Sequence, residues 1–157
     1  MTAAAPTPQL DSLYQEIILE HYRKPHHRGL REPFDAQVHH LNPTCGDEIT
    51  LRVHLHDGNV DDVSYEGHGC SISQASASVM SDLVIGKNVE DALAVHEEFL
   101  RLMQSKGEAE PDEDLLEDAV AFAGVSRYPA RIKCALLAWM AWKDATAQAV
   151  AEAEDIR

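Results

Sequence analysis

Apolar residues recur along this chain with two different periods, and the change of period divides it in two. Leu10, Leu13, Tyr14, Ile17, Ile18, His21 and Tyr22 share one face of a predicted helix, because residues three and four apart stack on the same side of a 3.6-residue turn. Pro25 ends that helix, and a basic loop follows as far as Gly29. Phe34 to His40 and Glu48 to His56 read as strands. Asp57-Gly58-Asn59 is a hairpin signal, and Val60 to Tyr65 is the returning strand.

From residue 71 the pattern turns helical. Ser71 to Ile85 predicts a helix rich in small residues and closed by Gly86, and Val89 to Gln104 a second one with Asn88 as its N-cap. Lys106 to Pro111 reads as a polar loop, and Asp112 to Ala123 as a short acidic helix or a partly ordered insert. After Arg127-Tyr128-Pro129 a long helix begins. It is apolar all round from Cys134 to Trp142 and so belongs at the centre of the core, while its polar tail from Lys143 is expected to fray. Trp139 and Trp142 are expected as core anchors, and Ser71, Ser73, Ser76 and Ser78 as points of close helix packing. The class is α+β: a small three-stranded antiparallel sheet covered by helices, in a single domain over residues 1–157, with 1–6 as a disordered leader.

Composition narrows the functions open to this fold. The chain has 157 residues, 45% of them apolar, enough for a core without disulfides. Its longest apolar run, Cys134 to Trp142, is about half of the roughly 20 residues that a membrane-spanning helix needs. Met1 to Pro6 lacks the basic and apolar regions of a secretory signal. Three cysteines, an odd number, argue for a reducing compartment, and the expected location is the cytoplasm. A net charge of −14 weighs against nucleic acid, whose binding rests on Lys and Arg at phosphates. Eleven acids fall within residues 89–118, whereas His21 to Arg31 holds Arg23, Lys24, Arg28 and Arg31 and no acid. Both patches read as solvated faces or as surfaces that steer a protein partner.

The cysteines carry the chemistry. They stand in Thr44-Cys45-Gly46-Asp47, Gly67-His68-Gly69-Cys70 and Arg131-Ile132-Lys133-Cys134. Cys45 and Asp47 are two residues apart at a strand entry, where an extended backbone would put both side chains on one face. Cys70 is expected at the N-cap of the helix from Ser71, and Cys134 in the first turn of the last helix, both places where the helix dipole favours thiolate. Three thiolates and a carboxylate make a four-coordinate site for Zn²⁺, or for an iron–sulfur cluster on the same sulfurs. Arg131 and Lys133 would offset the negative charge of such a site. The intervals of 25 and 64 residues match no zinc ribbon; the neighbouring glycines, acid and helix starts are what point to ligands. His68 is the one histidine that merits a test as an alternative ligand. His54 and His56 read as a wet strand face, and His26, His27, His39 and His40 as exposed.

Asn42-Pro43-Thr44-Cys45-Gly46-Asp47, Gly67-His68-Gly69-Cys70-Ser71-Ile72-Ser73 and Lys133-Cys134-Ala135-Leu136-Leu137 resemble the motifs of the IscU/SufU family of iron–sulfur cluster assembly proteins, and Tyr22 to Gly29 fits as well. The likeness runs from about Leu10 to Lys143. Lys133 stands where IscU scaffolds have a histidine, and residues 105–126 form a longer segment before the last helix. Both features are similar to the SufU branch. That resemblance implies Cys45, Asp47, Cys70 and Cys134 as zinc ligands and Cys45 as sulfur acceptor. It also implies a SufS-type cysteine desulfurase and a downstream Suf scaffold complex as partners. Three functions follow for testing: a zinc-dependent sulfurtransferase, a scaffold for an iron–sulfur cluster, and an interaction module with purely structural zinc.

Overall fold

Two hairpins set the order of the sheet. The computed structural model of the chain describes residues 8–155, with side chains over 12–154, so the expected leader at 1–6 lies outside the described residues. β1 (Ala36–Asn42), β2 (Asp47–His56) and β3 (Asn59–His68) run antiparallel in the order β1-β2-β3. His56 pairs with Asn59 around a two-residue loop, Asp57 at φ 50° and Gly58 at φ 78°. Two successive positive φ values match the right-handed twist of the flanking strands. The first hairpin closes where Asn42 pairs with Asp47, around the loop at residues 43–46.

Among the described residues six helical segments accompany the sheet: α1 (Pro8–Arg23), α2 (Ser71–Val84), α3 (Val89–Gln104), α4 (Glu113–Leu116), a 3₁₀ segment (Glu117–Arg127) and α5 (Pro129–Asp155). The expected α+β class is what the structure has. α3 spans the predicted residues, because its start is written locally: the Asn88 side chain accepts a hydrogen bond from Asp91 N at 2.8 Å. Ile49, Leu51 and Val53 of β2 and Val60, Val63 and Tyr65 of β3 are buried in a core closed by α2, α3 and α5. The rings of Phe99 and Trp139 stack in that core at 4.3 Å between centroids. Trp139 Nε1 donates to Ser76 Oγ at 3.0 Å, and Ser76 Oγ donates to Ala135 O at 2.6 Å, so a small serine ties α2 to α5.

Several expectations need correction. Residues 112–123, expected as a short acidic helix or a partly ordered insert, form α4 and the start of the 3₁₀ segment, and Leu116, Ala119 and Phe122 are buried in the core. The tail of α5 stays helical to Asp155, because Ala145, Thr146 and Ala149 are buried beyond Lys143. On α1, His21 is buried, but Leu13 and Tyr22 are 55% and 46% exposed. Its apolar stripe is therefore only partly covered. No described helix is long and apolar enough to cross a membrane.

Candidate metal centre

The candidate centre lies where the tip of the first hairpin meets the starts of α2 and α5. Cys45 is exposed in the 43–46 loop, which is held by Gly46 N donating to Asn42 O at 2.8 Å and Thr44 N donating to the Asn42 side chain at 3.1 Å. Gly46 adopts φ +74°, a conformation that L side chains rarely take. Cys45 and Asp47 therefore converge through a tight turn, not through the pleat of a strand as the i, i+2 spacing had suggested. Asp47 opens β2 and is buried.

Cys70 is the N-cap of α2, as expected. Its backbone N–H donates to Asp47 Oδ1 at 3.2 Å, and its Sγ lies 3.6 Å from Asp47 Oδ2. Cys134 is not in the first turn of α5. It is the sixth residue of a helix that starts at Pro129, and its thiol donates to Ala130 O at 3.7 Å. The dipole argument for its ionisation fails accordingly. Burial pushes this thiol far up from its ordinary pKa, and Cys45, Cys70 and Asp47 beside it add to the shift.

The four side chains nonetheless converge. Cys45 Sγ is 3.5 Å from Cys134 Sγ, and ligand atoms of Cys45, Asp47 and Cys134 all lie within 4.8 Å of one another. A tetrahedral ion with sulfur at about 2.3 Å and oxygen at about 2.1 Å sets its ligands roughly 3.6–3.8 Å apart. The Cys70–Asp47 separation of 3.6 Å matches the sulfur–oxygen edge, and the Cys45–Cys134 separation of 3.5 Å is slightly shorter than the sulfur–sulfur edge. The electrostatics agree. Burial alone would raise the Asp47 pKa, but hydrogen bonds from Cys45, Cys134, Ser73 and the Cys70 backbone outweigh it and hold the carboxyl below its usual value. A dication held here would favour the thiolate form of the sulfurs that ligate it.

Arg131 and Lys133 are exposed on α5 beside Cys134 and make no ion pair among the described residues. His68 stands outside the cluster, its side chain 73% exposed and 3.5 Å from Glu48. His27 and His40 are half-buried, not exposed as expected, and His40 Nε2 lies 2.8 Å from Asp144. His54 is half-buried against Asp35 at 3.1 Å, so only His56 of that pair is on a wet face.

Two supporting residues escaped the sequence reading. Ser73, expected as a packing serine, donates instead to Cys70 O at 3.0 Å at the edge of the cluster. A Cβ on Gly69 would come within 2.6 Å of Asp47 Cγ and 2.4 Å of Ser73 Oγ. The alternation Gly67-His68-Gly69 was the visible signal for that close approach, and only the structure shows what approaches.

The chain has relatives among known proteins. Residues 13–135 match the family model described as the NifU-like N terminal domain. The chain is 44% identical over 140 residues to a Bacillus subtilis protein named zinc-dependent sulfurtransferase SufU, covering 88% of this chain and 92% of that one. It is 42% identical over 137 residues to the iron–sulfur cluster assembly scaffold protein IscU of Streptococcus pyogenes, covering 87% and 84%. A crystal structure of the N-terminal part of a nitrogen-fixing NifU-like protein from Brucella abortus superposes with a TM-score of 0.78 at 29% identity, over 88% of this chain and 95% of that one.

Proposed function

The chain belongs to the family of NifU-like N-terminal domains, and we propose that it is a zinc-dependent sulfur carrier for iron–sulfur cluster assembly. In this reading it works in the cytoplasm, takes sulfur from a SufS-type cysteine desulfurase and passes it to a downstream Suf scaffold complex. The observation that carries the proposal is the unequal burial of the sulfurs: Cys45 is exposed on a hairpin tip, while Cys134, 3.5 Å away, is buried. One thiol can meet a partner while the others hold the site. Cys45, Asp47, Cys70 and Cys134 are the residues that would hold zinc, which supplies the charge that keeps thiols ionised at neutral pH.

The transfer itself is a displacement between sulfurs. The Cys45 thiolate attacks the terminal sulfur of the donor's cysteine persulfide. The donor's S–S bond breaks as the new one forms, the donor cysteine leaves as thiolate, and Cys45 carries the persulfide. No external oxidant is needed. Arg131 and Lys133, exposed beside Cys134, stabilise the anionic sulfur during the exchange.

Cys45→Ser should accept no labelled sulfur from the desulfurase, and label on that variant would sink the assignment. A second reading, a scaffold for an iron–sulfur cluster, has support in the name of the Streptococcus relative. Metal and acid-labile sulfide analysis of protein purified without oxygen separates the two. About one zinc per chain without iron or sulfide supports sulfur transfer; stoichiometric iron and sulfide would replace it with the scaffold.

A further inference from the structure

A second cluster of metal-ligating side chains sits at the other end of α2. His21 near the end of α1, His26 in the following loop and Asp82 on α2 present ligand atoms all within 4.8 Å of one another. Asp82 lies twelve residues after Cys70, about 18 Å further along a helix that rises 1.5 Å per residue. The two clusters share no side chain.

The hydrogen bonds around these residues fix which atoms face inward. His26 N donates to Ser78 Oγ at 2.8 Å, and His21 Nδ1 lies 2.7 Å from the same oxygen. His21 Nε2–H donates to Asp118 Oδ2 at 3.1 Å, because a carboxylate only accepts, and in the neutral ring Nδ1 then keeps its lone pair. A carboxylate behind an imidazole whose other nitrogen carries a lone pair is the usual backing of a metal-bound histidine. The carboxylate ligand is backed in the same way. Arg31 donates to His27 Nδ1 at 3.4 Å, so His27 Nε2–H donates to Asp82 Oδ1 at 3.0 Å. Asp82 Oδ2 is left facing His26 Nδ1 at 2.5 Å.

We propose that His21 Nδ1, His26 Nδ1 and Asp82 Oδ2 form a second site, for a divalent first-row transition ion, with Asp118 and His27 holding the ligands in place. Two imidazoles and a carboxylate suit Fe²⁺, Co²⁺, Ni²⁺ or Zn²⁺ and leave positions open to water. Nitrogen and oxygen ligands at about 2.1 Å from an ion stand roughly 3.0–3.4 Å apart. The His26–Asp82 gap must therefore widen, and it can, because the His26 side chain is 48% exposed and sits on a loop. His21, by contrast, is 5% exposed and already aimed inward. Binding expels the proton on His26 Nδ1 and frees the Ser78 hydroxyl to rotate away.

The test uses protein carrying zinc at the cysteine cluster and Co²⁺ as the probe. The expected result is one further Co²⁺ per chain, with weak d–d absorption and no sulfur-to-cobalt charge-transfer band. Asp82→Asn and His26→Gln should each weaken that binding at least about tenfold. Circular dichroism checks that the variants fold; His26→Gln alters an exposed side chain and decides the matter if Asp82→Asn does not fold. Absence of saturable Co²⁺ binding on the zinc-loaded protein, or binding undiminished in the folded variants, overturns the site. A sulfur-to-cobalt band reports the cysteine cluster separately, so failure of either site is distinguishable from failure of the other.

Discussion

The two ends of α2 solve the same problem in opposite ways. At its N-terminal end, Cys70 joins residues from a hairpin tip and from α5, and two members of the cluster, Asp47 and Cys134, are 3% and 1% exposed. At its C-terminal end, Asp82 joins His21 and His26, only five residues apart in sequence, and both Asp82 and His26 are open to solvent. Soft, buried donors suit an ion that stays; hard, half-open donors suit one that exchanges with water. α2 between them is packed through Ser76 and Trp139, so neither end can shift without disturbing the core. A rigid helix thereby keeps two chemically distinct clusters apart.

The largest effect that would erase this contrast is loss of the packing between the ends. Trp139→Ala should destabilise the fold by about 3–5 kcal/mol, measured by denaturant unfolding, and degrade both clusters together. Next in size is Cys134→Ala. It should abolish zinc retention on metal analysis while leaving Co²⁺ uptake at the imidazole end intact, which sharpens the contrast. Gly69→Ala should lower zinc affinity by about tenfold or more in a chelator competition, because its Cβ displaces the Asp47 carboxylate; unchanged affinity would mean that Asp47 has room to move.

The smallest effect is electrostatic and lies on the sheet, near the imidazole end. The Arg31 hydrogen bond holds the Asp62 carboxyl below its ordinary pKa, against the opposing pull of burial. The folded chain therefore binds this proton less readily than the unfolded one. The stabilisation is in place above the ordinary carboxylate pKa of about 4 and is lost as pH falls through the lowered value. Both side chains are partly exposed, so Arg31→Met should cost less than about 1 kcal/mol at pH 7. It should also flatten the acid limb of a stability–pH profile.

What could be read from the sequence was what is written locally. The Asn88 cap and the Asp57-Gly58 turn are short-range chemistry, and both elements appear where their residues place them. Cys45, Asp47 and Cys70 stood out as candidates because a glycine or a helix start accompanies each; Cys134 has neither, and only the fold brings it beside them. The route by which Cys45 meets Asp47 was not, since it depends on a positive φ at Gly46 and on Asn42 bridging the loop. Over residues 112–123 a short helix and a partly ordered insert could not be told apart, because a 3₁₀ run lacks the 3.6-residue period, although Ala119, Phe122 and Val125 recur every three residues. The imidazole cluster was invisible for another reason. His21 meets Ser78 and Asp118 across 57 and 97 residues, and no spacing rule joins positions so remote.

The position of Cys134 on α5 also sets a schedule for synthesis. As a ribosome makes this chain, the hairpin with Cys45 and Asp47 and the helix start with Cys70 emerge first, one sulfur short of a complete site. Cys134 follows much later, and Trp139 comes only five residues after it. Completion of the candidate ligand set and sealing of the core thus fall to the same short stretch of translation.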